Sequence, residues 1–164
     1  MSIAVEDYVR VDERANELGC SLPTRLAVLP INFETAATCA DLRNASHTET
    51  VIKLLKGERI PIGTFLPQHE HLPYVVNKHF QWLGPTLFIP LALLNENPQI
   101  VSLAIGVLSN CITDFFKGVP RQQRNVKLTI VIEAEPKRIY EKITYEGDVD
   151  GLNSLPKIIK DSSK

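Results

Sequence analysis

The sequence contains few of the residues from which recognisable enzyme sites are built. Its 164 residues include three cysteines, eight glycines and four histidines. Cys20, Cys39 and Cys111 share no CxxC or zinc-type spacing. The glycines form neither a phosphate-binding loop nor a Gly-x-Ser-x-Gly nucleophile elbow. The sequence therefore carries none of the common motifs for nucleotide binding or nucleophilic catalysis.

An excess of charge of one sign is also lacking. The chain has 18 Lys+Arg residues and 19 Asp+Glu residues, which gives a formal net charge of -1. A chain so balanced has no global attraction for nucleic acid or for an anionic membrane. The odd number of cysteines, together with Glu6 and Asp7 where a signal peptide would be basic, fits a reducing compartment. We therefore expect a cytoplasmic protein without a nucleic-acid partner.

The longest apolar stretch in the chain predicts one long helix over residues 98–117. Asn97 is a good N-cap residue, and Pro98 would occupy the first helical position, where its missing N–H costs nothing. Gly118 follows as a terminator. The polar residues recur on one narrow stripe, whereas the apolar residues occupy the rest of the surface from Ile100 to Phe116. Such a helix has to be covered on two or three sides.

The length and the polarity of this helix argue against a membrane-spanning role. A span needs about 20 predominantly apolar residues. The helix is shorter than that and carries Asn110 and Asp114, so we expect no constitutive insertion. Conditional insertion, as in an effector that enters membranes, stays open as an alternative because Ser102 and Gly106 are small residues four positions apart.

After this helix the apolar pattern changes from helical spacing to alternation. The alternation predicts a β-hairpin over residues 126–146 that turns at 135–137. Its apolar row needs a partner, which the central helix can supply. A short final helix is predicted over 154–159. We therefore predict a single α+β domain over 1–164, in which a long buried central helix packs on a small, mostly antiparallel sheet.

The part of the chain before the central helix predicts shorter elements. Apolar spacing in the first segment ends at Gly19, and Ser46 with Glu49 forms a capping box for a helix that closes at Gly57. The predicted elements are helix 3–18, strand 25–29, helix 33–42, helix 48–56, an edge strand over 59–66, a strand over 74–83 and a compact helical turn over 87–95.

Three histidines suggest a metal site. His69 and His71 flank Glu70, and on an extended segment both imidazoles would point to one side. His79 could complete a three-nitrogen zinc site with water in the fourth position, which suits a metal-dependent hydrolase. The simpler interpretation is a set of polar residues in an exposed loop bounded by Pro67 and Pro73.

The second group of candidate residues lies on and after the central helix. An aspartate on a buried helix would be desolvated, as in many catalytic acids and bases, but the polar stripe is also the one face that can reach solvent. Basic residues follow the helix and could pair with this aspartate or hold phosphates, although glutamates are interleaved with them. The candidate binding residues are Ser109, Asn110, Asp114, Arg121 and Arg124.

These patterns favour a non-enzymatic function. A well-formed core without a convergent polar site is typical of a protein-interaction or regulatory module, and such a module could self-associate. We therefore expect a protein partner or a homo-oligomer, and no cofactor. The alternatives are a zinc-dependent hydrolase that uses His69, His71 and His79, and a conditional membrane-inserting effector.

Overall fold

The fold was determined from a computed structural model, which describes residues 2–45, 47–65, 81–83, 85–134 and 139–162. The strands are β1 (Ser2–Asp7), β2 (Leu26–Leu29), β3 (Ile62–Gly63), β4 (Gln81–Leu83), β5 (Thr86–Ile89), β6 (Asn125–Ala134) and β7 (Ile139–Gly147). The helices are α1 (Val11–Leu18), α2 (Thr48–Gly57), α3 (Leu91–Glu96), α4 (Gln99–Phe115) and α5 (Leu155–Ser162). Short 3-10 turns lie at Cys39–Asp41, Arg121–Gln123 and Asp150–Ser154.

The strands form one mixed sheet in the order β1-β7-β6-β5-β2-β3. β6 is the central strand, because it pairs antiparallel with β7 on one side and parallel with both β4 and β5 on the other. The pairs β1–β7 and β2–β5 are antiparallel, and β2–β3 is parallel. The long helix α4 packs on this sheet, which confirms the predicted α+β class.

The hairpin of β6 and β7 agrees closely with the alternating pattern in the sequence. Its antiparallel register runs from Val126 opposite Gly147 to Ala134 opposite Ile139. The residues that connect the two strands, 135–138, lie outside the described part of the chain. Alternate side chains of β6 are buried under the helices, among them Leu128, Ile130 and Ile132.

Apolar side chains pack on both faces of the sheet. On one face, residues of α2, α4 and α5 form the larger cluster, which we call the α4 core and which includes Leu55, Leu108, Ile112, Ile130 and Ile159. On the other face, Phe88 of β5 packs with α1 and with the segment between β2 and α2 in a second core. The sheet is therefore buried between two layers over its central strands.

Helix α4 lies within the predicted range 98–117. It ends at Phe115 with Phe116 at the C-cap, so Gly118, whose φ is 84°, lies in the turn after the helix and does not itself end it. Asn97 does not cap the helix, however, and Pro98 occupies the capping position. The reason is that Asn97 already ends α3, where its N–H donates to the carbonyl oxygen of Leu93 at 2.9 Å. Its side-chain Oδ1 is buried and accepts no hydrogen bond from the described residues.

The predicted helix over 3–18 is wrong in its first half. Residues 2–7 form β1, which pairs with β7 from Ser2 opposite Glu146 to Asp7 opposite Glu141. Only Val11–Leu18 is helical, and this helix ends as predicted at Gly19, whose φ is 74°. Ile3 and Val5 fit the alternation of a strand, whereas Val5, Tyr8 and Val9 fit helical spacing. Pairing with a distant strand therefore decides the conformation.

The predicted helix over 33–42 is also wrong, because side chains capture its backbone groups. The Asn32 amide donates to the carbonyl oxygen of Asp41 at 2.8 Å, and its Oδ1 accepts from the Arg43 N–H at 2.8 Å. Arg14 donates to the carbonyl oxygens of Phe33 and Ala36. These bonds hold the segment in turns, since they replace the hydrogen bonds that a helix would make.

The apolar run over 87–95 is a strand followed by a helix rather than a single helical turn. β5 takes Thr86–Ile89, and α3 begins at Leu91 with Pro90 in the capping position. Because β5 is buried on both faces, its residues are continuously apolar and show no alternation.

The predictions for the other short elements agree better with the structure. The predicted strand over 25–29 is β2, the final helix is α5, and the edge strand over 59–66 is reduced to Ile62–Gly63. Helix α2 includes Gly57, so that glycine does not close it, and a positive φ of 61° follows at Arg59. Ser46 and residues 66–80 lie outside the described part, which leaves the capping box and most of strand 74–83 as predictions.

The packing of α4 predicts a strong contrast between its two faces. Leu108 is 1% exposed in the α4 core, whereas Leu103 of the same helix is 49% exposed. We expect Leu108→Ala to lower the free energy of unfolding by about 2–5 kcal/mol, because it leaves a cavity. The matched variant Leu103→Ala should cost less than about 1 kcal/mol. Urea unfolding followed by circular dichroism measures both, and equal losses would contradict this orientation of α4.

Candidate interaction surface

The polar stripe of α4 faces solvent. Asn110, Thr113 and Asp114 are exposed, and Ser109 is half-buried. The Ser109 hydroxyl donates to the Ile105 carbonyl oxygen at 3.0 Å, and the Thr113 hydroxyl donates to the Ser109 carbonyl oxygen at 2.8 Å. Both hydroxyls thus bond within their own helix. An acid or base role for Asp114 needs desolvation, which this exposed position does not supply.

Of the two arginines after α4, the structure describes the side chain of Arg124 only. The Arg124 guanidinium donates through Nε to the Val119 carbonyl oxygen at 2.9 Å, which fixes the turn that leads from α4 to β6. Arg121 begins the short 3-10 turn before β6, and its side chain is outside the described part of the chain.

The three histidines of the zinc alternative, His69, His71 and His79, also lie outside the described residues. In the described ranges, no group of three or more His, Cys, Asp or Glu side chains is arranged to hold a metal ion. The zinc site therefore stays a prediction. Over the same ranges, no helix combines the length and the apolarity needed to cross a membrane.

An apolar row runs along one border of the exposed face of α4. Its members follow at steps of three and four, so successive members are neighbours on the helix surface, and the row winds gradually around the helix from Leu103 to Phe115. Leu103 is 49% and Phe115 is 40% exposed, and the members between and beside them are half-buried. The sheet and the neighbouring helices cover most of the apolar surface of this helix, but these two positions stay exposed. The row consists of Ile100, Leu103, Val107, Cys111 and Phe115.

Gly106 lies next to this row on the exposed face. A glycine inside a helix costs roughly 0.5–1 kcal/mol relative to alanine, so its presence calls for a reason. A Cβ atom added at Gly106 would meet no atom of the described residues within 4 Å. Close packing against the described part of the chain therefore does not require the glycine. Together with Ser102 and Asn110, it forms a shallow shelf of small side chains beside the apolar row.

An aromatic cluster lies at the C-terminal end of the row, and no pattern in the sequence indicates it. The His47 ring stacks on Trp82 with centroids 5.8 Å apart and an interplanar angle of 10°. Phe115 meets the same imidazole edge-on at 5.0 Å and also contacts Phe116 at 5.0 Å. Burial lowers the pKa of His47. The cluster joins the start of α2 and the strand β4 to the end of α4.

Hydrogen bonds to the Glu133 carboxylate connect the hairpin to α3. The Tyr140 hydroxyl donates to Glu133 Oε2 at 2.9 Å, and the Leu91 N–H donates to Glu133 Oε1 at 3.3 Å. One carboxylate thus ties the start of α3 to the hairpin. Burial, followed by the hydrogen bond to Glu133, raises the pKa of Tyr140. Both oxygens of Glu133 are engaged in holding the fold, so we assign this pair a structural role.

Comparison of the chain with protein-family models, with curated proteins and with solved structures finds no significant match.

The burial of His47 predicts a pH dependence of stability. The unfolded chain binds a proton at His47 near pH 6.5, about the ordinary value, whereas the folded chain binds it only at lower pH. Below about pH 6.5 the unfolded state therefore holds more protons, so stability falls as the pH decreases. His47→Phe keeps an aromatic ring but cannot be protonated. The difference in unfolding free energy between variant and wild type should therefore increase from pH 7 to pH 5.

Urea unfolding at a series of pH values measures this difference. Carboxylate titrations contribute to both proteins and cancel in the comparison. Two stability curves that run parallel over this range would show that His47 titrates equally in the folded and unfolded chains.

Proposed function

We propose that the chain is a protein-interaction module that binds another protein through the exposed face of α4. The observation that carries this proposal is the apolar row. It leaves Leu103 and Phe115 exposed on a helix whose opposite side is anchored in the α4 core. Apolar residues at i, i+3 and i+7 on a rigid helix are the usual anchors in helix-mediated recognition.

The shelf beside the row supports the same function. Small residues let a second backbone approach a helix closely, and no residue that the structure describes approaches Gly106 so closely that a glycine is needed. A partner that packs over Gly106 would bring its own side chains against Leu103 and Val107. The apolar row and the shelf beside it together form a surface that can select a partner of complementary shape.

The polar residues on and after α4 would contribute to the edge of the interface and not to its centre. Asn110 and Asp114 lie exposed on the same face, where they can form the polar rim of an interface. The Ser109 hydroxyl already donates within the helix, which leaves its oxygen free only to accept. Arg121 and Arg124 follow the end of α4 and would meet a partner that extends beyond Phe115.

The test begins with a photoreactive amino acid at Ser102, in the shelf, and at Glu13, an exposed residue of α1 on the opposite side of the sheet. A protein cross-linked from Ser102 but not from Glu13 is then purified, and its affinity is measured by calorimetry. Leu103→Asp should weaken binding by roughly tenfold or more, because it places a charge in the centre of the interface.

The matched control is Ile31→Asp, which introduces the same charge at a 43% exposed apolar residue outside α4. This variant should bind like the wild type. Unchanged binding by Leu103→Asp, with the fold intact by circular dichroism, would refute the assignment of the surface.

Gly106 allows a prediction in which stability and binding change in opposite directions. Gly106→Ala should raise the free energy of unfolding by about 0.5–1 kcal/mol, because alanine favours the helix. The same methyl group should weaken binding of the partner, since it fills the shelf. Gly57→Ala in α2 is the control, because a Cβ there also meets nothing within 4 Å. It should not affect binding, and a loss of affinity in both variants would count against the shelf.

A further inference from the structure

The strand β1 forms a long open edge of the sheet. It pairs with β7 through all six of its residues, from Ser2 opposite Glu146 to Asp7 opposite Glu141. In the described part of the chain, no strand pairs with its other side. The opposite edge of the sheet, β3, is only two residues long. An edge strand of this length presents a row of backbone donors and acceptors to any strand that approaches.

The features that normally protect such an edge are missing from most of β1. It contains no proline and no glycine. Its register with β7 is continuous, so no bulge bends the edge away. Charged residues occur only at one end, as Glu6 and Asp7, and the first four residues are uncharged. The stretch from Ser2 to Val5 is therefore open to pairing.

Two apolar side chains of β1 extend the apolar face of the sheet that α4 covers. Ile3 lies opposite Tyr145 and Val5 lies opposite Ile143, and both partners are buried in the α4 core. Ile3 packs partly against that core, whereas Val5 is 49% exposed. A further strand beside β1 would cover Val5 and extend the apolar face of the sheet on the side of α4.

We propose that β1 pairs antiparallel with β1 of a second copy of this chain, about a two-fold axis at Ala4, so that the two sheets join into one. In this register Ala4 faces Ala4 of the other copy. Ile3 of each copy lies opposite Val5 of the other, and Ser2 lies opposite Glu6. Apolar residues thus meet on the α4 side, while Ala4 meets Ala4 and Ser2 meets Glu6 on the other face.

The distribution of charge selects this orientation. Parallel pairing would place Glu6 opposite Glu6 and Asp7 opposite Asp7, and like charges directly opposite each other destabilise a sheet. Antiparallel pairing moves the two acidic ends apart. A two-residue shift, centred on Val5, would set Asp7 against Ile3 and Glu6 against Ala4, which gives up the apolar match. A one-residue shift would pair Ile3 with Glu6 and Val5 with Ala4, so the apolar residues of the two copies would lie on opposite faces of the joined sheet.

The test uses disulfide formation in a background in which Cys20, Cys39 and Cys111 are replaced by serine. Ala4→Cys places two thiols directly opposite each other across the axis, within reach of a disulfide. In Val5→Cys the two equivalent thiols are one diagonal step apart. Ala4→Cys should therefore form cross-linked dimers about fivefold faster than Val5→Cys under mild oxidation. A mixture of Ile3→Cys and Val5→Cys chains, distinguished by a tag, should form mainly mixed dimers.

Sedimentation velocity of the unmodified chain provides the second measurement. The wild type should dimerise as its concentration rises, and Val5→Lys should raise the dissociation constant by roughly tenfold or more. Val9→Lys is the matched control, because Val9 is 37% exposed and lies beyond the end of β1. It should dimerise like the wild type.

Three results would overturn the proposal. A wild type that stays monomeric at every concentration, with no cross-linking of Ala4→Cys, excludes pairing through β1. Equal cross-linking of Ala4→Cys and of a control at Glu13→Cys reveals random collision. Faster cross-linking of Val5→Cys than of Ala4→Cys excludes the register.

Dimerisation through β1 is independent of the partner surface on α4. Leu103→Asp should leave the sedimentation of the chain unchanged, whereas Val5→Lys should leave the affinity of a single chain for its partner unchanged. Failure of one proposal therefore does not imply failure of the other.

Discussion

Burial of the central strand β6 against α4 is the interaction on which the rest of the structure depends. β6 pairs with β4, β5 and β7, so its backbone joins strands that precede it and a strand that follows it in the chain. Its residues Leu128, Ile130 and Ile132 lie in the same core as Leu108 and Ile112 of α4. Because the sheet has to be covered on this face, α4 is held at a fixed orientation, and α2 and α5 pack beside it.

The same constraint explains which elements could be predicted from the sequence. The hairpin of β6 and β7 and the helix α4 are formed by local pairing and regular spacing, so the residues within each element determine its structure. β1 and β5 were missed because a distant strand determines them. Residues 33–42 were missed because Asn32 and Arg14 bond to that backbone from outside it. Such contacts leave no periodic signal in the sequence.

The candidate surface was predictable to a similar extent. The polar stripe, with Asn110 and Asp114, follows from helical spacing, and so does its position away from the sheet. The exposure of Leu103 and Phe115 does not follow, because the sequence cannot tell how wide an arc of α4 the neighbouring helices cover. The cluster of His47, Trp82 and Phe115 combines residues that are far apart in the chain, and only the fold brings them together.

The two proposed surfaces have a geometric relation that follows from the sheet. A two-fold axis at Ala4 that joins two sheets edge to edge runs perpendicular to them, so each face of the joined sheet keeps its identity. The α4 helices of both copies then lie on the same side. Their exposed faces point in the same direction, and two linked copies of a weak binding surface gain affinity for a partner that carries two matching sites. Pairing through β1 would thus convert a modest helix surface into a bivalent one without any new contact to the partner.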